Sequence, residues 1–153
     1  AIKKAPIETI GVLFWWATNH GKYLINKPII ERIESREILE LAMYRISTLD
    51  EDYYYGGPSR FFGMFYSRLP GVPLERARIN FDESLMDNPN YFGTRVLRAR
   101  YYHTKLGNRE QFQDDLKHVI ETDPSLLPDA MPENLFEQEK AKELLNNQTI
   151  LFE

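Results

Sequence analysis

The chain has 153 residues, 42% of them hydrophobic and 13% aromatic, enough for one well-packed core and too few for two comfortable ones. Its net charge of −4 speaks against a nucleic-acid binder, and the lack of cysteine removes disulfides, thiolate metal sites and cysteine nucleophiles. No run reaches the roughly eighteen apolar residues of a membrane span, since Asn19, His20 and Lys22 end the apolar stretch 10–17.

Charge is placed unevenly. Residues 60–109 carry nine Lys/Arg against four Asp/Glu, a local +5, and residues 110–153 carry three against eleven, a local −8. Such halves either complement each other inside one fold or attract separate partners. The chain starts at Ala1 without a methionine, so it is expected to be the C-terminal part of a longer precursor, folded as a single helical-repeat domain over 1–153.

In chain order, Pro6 in a first turn is expected to open an apolar helix through Ile10, Leu13, Phe14, Trp16, Ala17 and Tyr23. Adjacent Trp15 and Trp16 cannot share a face, so one is expected in the core and the other on a groove or partner surface. Asn26-Lys27-Pro28 breaks this helix, and Ile29 to Ile33 reads as a short helical turn. Ser35 is expected to cap a helix carrying Leu39, Met43 and Ile46 to about Leu49. Residues 50–58 read as a loop ending in Gly56-Gly57-Pro58, and three consecutive tyrosines in it cannot all be buried. An aromatic helix follows, then a tight connection at Pro70-Gly71-Val72-Pro73 and a helix carrying Ala77 to Leu85. Further helices are expected over 91–106 and 109–121, and after a proline-rich loop an amphipathic helix over 133–150 with Leu135, Phe136, Ala141, Leu144, Leu145 and Phe152 on its apolar side. That makes about seven helices and no sheet.

Two stretches repeat one pattern. Gly63 and Tyr66 precede Ala77, Phe81, Ser84 and Pro89; Ala99 and Tyr102 precede Phe112, Leu116, Val119 and Pro124 at the same steps of four, three and five. Leu39, Met43, Ile46 and Glu51 form a degenerate third copy. This is the logic of tetratricopeptide repeats, whose period is about 34 residues. The expected fold is all-α, with antiparallel helix pairs stacked as a tetratricopeptide-like superhelix and a C-terminal capping helix.

No catalytic set assembles from these residues. His20, His103 and His118 fall on separate helices, the serines lack a nucleophile-elbow context, and Gly56-Gly57 lacks a phosphate-loop pattern. Asn147-Gln148-Thr149 matches a glycosylation sequon but lies on an expected helix. Neither enzymatic activity, cofactor nor metal is expected. The stronger signal is a strip opposite the small packing residues Gly63 and Ala99: Arg60, Met64 and Arg68 on one helix, Val96, Arg100 and His103 on the next. It suits a carboxylate-bearing ligand or an acidic partner segment. The opposing reading pairs these arginines internally with the acidic final helix.

Several segments together resemble the T-component family of tripartite ATP-independent periplasmic (TRAP) transporters. They are Phe14-Trp15-Trp16-Ala17, the run from Leu49 to Gly57, Leu69-Pro70-Gly71, Ala77 with Phe81, and Arg98-Ala99-Arg100-Tyr101-Tyr102. Asn108-Arg109 before Phe112, Asn134-Leu135 before Ala141, and the closing Leu151-Phe152 continue the resemblance to the end of the chain. It implies a non-catalytic periplasmic helical-repeat protein, lipid-anchored through an N-terminal segment not present here. The same likeness implies docking of the transporter's solute-binding protein, a hydrophobic or carboxylate ligand, and trimer formation. The alternative from the same architecture is a generic repeat scaffold binding an acidic segment of another protein. Gly71-Val72-Pro73 lacks the double glycine often found at that loop in the family.

Overall fold

A computed structural model describes residues 1–153. It contains nine helices and no strand, so the chain is all-α. Short 3-10 turns at Ile2–Lys4 and Ile7–Thr9 lead into α1, Ile10–Ile25. Pro6 therefore opens a 3-10 turn, and the helix proper begins four residues later. Next come α2, Ile29–Glu34, and α3, Arg36–Leu49. Ser35 between them has helical backbone angles and makes no side-chain cap, because its hydroxyl lacks the extended backbone that aims an N-cap oxygen at the first turn.

The helix α4, Tyr53–Arg68, contains a left-handed turn at Tyr54, Tyr55 and Gly56, with φ of 52°, 59° and 69°. The expected loop is thus a compact turn joined to the helix, and Pro58 sits at the start of the right-handed part. A connection through Pro70 and Gly71 leads to α5, Leu74–Asp87. Then α6 runs continuously over 93–106, as Gly93–Leu97, a π-helical turn Arg98–His103, and Thr104–Leu106. Asn108 caps α7, Arg109–Glu121, its Oδ1 accepting from the Gln111 N–H at 3.1 Å. Two 3-10 turns at Pro124–Leu126 and Pro128–Ala130 precede α8, Met131–Asn146, and α9, Gln148–Leu151. The count exceeds the expected seven because the final helix ends at Asn146, and because the short α2 is a helix in its own right.

Packing follows the repeat positions. Gly63, Tyr66, Ala77, Phe81, Ser84, Ala99, Tyr102, Phe112, Leu116 and Val119 are all buried, as are Leu39, Met43 and Ile46 of the third copy. The larger core joins α1, α3, α4 and α5 around Phe14, Leu39, Phe61, Phe65 and Phe81. A smaller one joins α6, α7 and α8 around Phe92, Ala99, Phe112 and Ala141.

Two side-chain expectations fail. Trp15 and Trp16 are both exposed, at 43% and 41%, because Phe14 and Ala17 take the core face of α1. On α8, Leu135 and Phe136 are exposed and Asn134 is fully buried instead. Its Oδ1 accepts from the Phe92 N–H at 3.0 Å and its Nδ2 donates to the Asn90 carbonyl at 2.8 Å. That polar anchor fixes which face of α8 meets α6.

Candidate functional site

A groove of about 300 Å³ opens between α1, α4, α6 and α8. Helix α1 contributes Phe14, Trp15, Thr18 and Lys22, of which Trp15, Thr18 and Lys22 are spaced by three and four residues and so share one helical face. From α4 come Tyr54, Gly57, Arg60, Phe61 and Met64. Gly57 is required there, since a Cβ would lie 2.6 Å from the Phe14 ring. The stretch around α6 adds Tyr91, Leu97, Arg100 and Tyr101, and α8 adds Glu137 and Lys140.

The wall is largely aromatic. Trp15 meets Tyr54 edge-on at 5.0 Å, and Tyr55 stacks on Tyr91 at 5.2 Å. Tyr54 Oη donates to Glu133 Oε1 at 2.9 Å, and burial together with that bond pushes the phenol's pKa up. The rings supply an apolar body, and the hydroxyl is tied outside it.

Arg60 is buried, and its guanidinium lies 4.3 Å over the Tyr91 ring. Nη1 donates to the Tyr55 carbonyl at 2.7 Å and Nη2 to the Tyr54 carbonyl at 3.0 Å. These two bonds hold the left-handed turn. Two aromatic residues at positive φ cost about 1–2 kcal/mol each, so the turn persists only because its surroundings enforce it. No carboxylate lies within ion-pair distance of Arg60; Glu137 and Asp52 act on it only at longer range. Burial lowers its pKa, which leaves a desolvated positive charge with carbonyl and ring partners alone.

The rest of the groove keeps the same sign. Lys22, Arg100 and Lys140 face one acid, Glu137, which pairs with Lys140 at 2.8 Å. Burial lowers the Lys22 pKa, with Lys140 and Arg60 adding repulsion and Glu137 opposing it. Four cations against one carboxylate give a local charge of +3 in a chain whose net charge is −4.

Of the six residues singled out in sequence, the structure brings Arg60, Met64 and Arg100 together on this groove. Arg68 lines a separate cavity and lies 5.4 Å from the Tyr101 ring. Val96 is buried in the smaller core. His103 is buried against Asp115, its Nε2 being 3.1 Å from Oδ2. The π turn explains why Val96 and His103 part from Arg100, because an extra residue in a turn shifts the helical phase by about 100° and sends residues spaced for one face to different sides; Arg68, on α4, simply lies at the far end of its helix.

Internal pairing claims other arginines. Arg98 grips Asp115 through Nε and Nη2, both at 2.7 Å, and Arg95 Nη1 adds 2.8 Å. Arg60, Arg68 and Arg100 make no ion pair with the final helix or elsewhere. Trp15, Lys22, Tyr54, Tyr91 and Lys140 were not picked out as site residues, though the Trp15, Thr18, Lys22 spacing carried the signal on α1.

No helix is long and apolar enough to cross a membrane. No curated protein matches the chain. A family model described as TRAP transporter T-component matches residues 1–152. With the match running nearly end to end on an all-α chain, the protein belongs to the TRAP transporter T-component family and has its role in a TRAP system.

Proposed function

We propose that the chain is a non-catalytic periplasmic adaptor of a TRAP-type uptake system, docking the solute-binding protein and holding a carboxylate with an apolar body in the groove. The observation that carries the ligand reading is Arg60, a buried cation with no carboxylate partner on an aromatic wall. A ligand carboxylate supplies what that charge lacks, and Tyr91, Trp15 and Phe61 take the apolar body. Lys22 and Arg100 at the exposed edge attract the anion, or an acidic loop of the docking partner, before it is seated.

Trp15 lines the groove, so its emission reports occupancy. Straight-chain monocarboxylates titrated into the protein should quench or shift it saturably, while the matching alcohols should bind about tenfold more weakly or worse. Arg100→Ala, at an exposed position, should weaken the acids about tenfold without unfolding the chain, and salt should weaken wild-type binding. The purified solute-binding protein of the system, titrated at low and high salt, checks the docking arm. Alcohols binding as tightly as acids would overturn the ligand reading, and no association with the solute-binding protein would overturn the docking reading.

A further inference from the structure

A second cavity, also of about 300 Å³, lies on a different side of α4, between α2, the 69–73 connection and the far end of α6. Its charged lining is Arg32, Arg68 and Lys105, with no acidic residue among its walls. The carboxylate of Glu40, bonded to the cavity's Tyr66, is already engaged. It accepts from Arg36 Nε at 3.0 Å and from Tyr66 Oη at 2.8 Å.

The donors here outnumber their partners. Arg32 Nη1 donates to the Arg68 carbonyl at 2.5 Å, closing the C-terminal end of α4. The Nε atoms of both Arg32 and Arg68 are buried and have no partner. Leu69, Gly71 and Val72 line the same cavity, and the Gly71 N–H, in the turn at Pro70-Gly71, has no backbone partner. Gly71 has φ of +78°, which turns the chain sharply beside the cavity. Three cationic side chains and the Gly71 amide border one concave space whose walls carry no carboxylate.

We propose that this cavity is a binding site for a phosphate-class oxyanion. A tetrahedral dianion answers the arrangement better than a carboxylate, because it offers acceptors in several directions and twice the charge to three cations. At about 30 Å³ per water the cavity has room for the anion with part of its hydration, or for a phosphoryl headgroup. Both sources share the chemistry. Ile29 lines the cavity and is 53% exposed, with Ile30 and Ile33 also exposed on α2, so an apolar rim stands beside the cations if the phosphate belongs to a lipid.

The test is calorimetric titration of the whole chain with inorganic phosphate, sulfate and acetate at matched ionic strength, beside the variants Lys105→Gln and Arg68→Gln. Lys105 is exposed, so its variant leaves the fold intact. Phosphate and sulfate should bind saturably at one site, acetate at least about tenfold more weakly, and each variant should weaken phosphate about tenfold. Co-sedimentation with phosphatidylglycerol–phosphatidylcholine vesicles separates the sources. Vesicle binding that phosphate displaces and Lys105→Gln abolishes identifies a headgroup, whereas phosphate binding without vesicle binding identifies a free anion. The proposal is overturned if neither phosphate, sulfate nor vesicles bind, if acetate matches phosphate, or if both variants bind like wild type. Lys22→Gln and Arg100→Ala, in the groove, should leave phosphate affinity unchanged, so this site and the groove stand or fall separately.

Discussion

Asp115 gives a quantitative handle on the helix pair α6–α7. Its side chain is 4% exposed and accepts from Arg95, Arg98 and His103. Burial pushes the carboxyl pKa up, but the bonds from Arg98, His103 and Arg95 outweigh burial and hold it at about 2, against an ordinary value of 3.8. A carboxyl depressed in the folded state adds stability above its unfolded pKa and loses it as pH falls through its folded pKa. The contribution is therefore complete above about pH 4 and fades between about pH 4 and pH 2, and the difference of nearly two units corresponds to about 2 kcal/mol. Asp115→Asn should cost at least that at pH 7, because removing one partner of a buried pair also leaves Arg95 and Arg98 uncompensated, about 3–5 kcal/mol when both charges are fully buried. Arg95 and Arg98 keep 22% and 16% side-chain exposure, and Arg98 also donates to Asp82 at 3.1 Å, so about 3 kcal/mol is the expected loss. Urea unfolding of both proteins from pH 7 to pH 2.5 measures it. The gap between wild type and variant should be flat down to about pH 4 and narrow below it. A gap under about 1 kcal/mol at pH 7, or one that does not narrow in acid, would refute the assignment of Asp115 as the ionised centre of this cluster.

Two backbone positions separate crowding from strain. At Gly63 a Cβ would sit 2.7 Å from the Phe81 ring, so Gly63→Ala should cost roughly 1–3 kcal/mol in urea unfolding through overpacking between α4 and α5. Gly107 has φ of +69° with open space around it, so Gly107→Ala should cost only about 1 kcal/mol, and a larger loss there than at Gly63 would reverse the reading. Replacing Ala99, fully buried in the smaller core, by Leu should cost roughly 1–3 kcal/mol, and a neutral result would mean α6 has more room than its packing indicates.

The core was legible because its rule is local. Ala77, Phe81 and Ser84, like Phe112, Leu116 and Val119, sit at helical steps on one face, and burial follows from the 3.6-residue period alone. The groove was legible only in part. Arg60, Met64 and Arg100 reach it, but Val96 and His103 do not, since the π turn between them breaks the period and no simple residue pattern announces it. The left-handed Tyr54-Tyr55 pair is a tertiary choice as well. Aromatic residues disfavour positive φ, so their local preference argues against the conformation that Arg60 imposes from the next turn of helix. On α8 the hydrophobic pattern named Leu135 and Phe136, and the hydrogen bonds of Asn134 overruled it. A buried amide left without those partners would cost about as much as burying one of those side chains gains.

Arg60 carries two loads that are seldom placed on one side chain. It clamps a turn strained by about 2–4 kcal/mol, and it accepts burial of its charge without a counter-ion. If clamping were its whole task, a neutral donor reaching the same two carbonyls would serve with less desolvation, because burying a charge costs far more than burying an amide. Its position on the groove wall changes that balance. The charge is largely withheld from bulk water, while its side chain borders the groove beside Tyr91 and Trp15. In that low-dielectric wall an incoming carboxylate gains more from the guanidinium than it would at the exposed Arg100. The aromatic wall, the strained turn and the unpaired cation are then parts of one arrangement, and under the function proposed above its charge is what a ligand carboxylate would meet.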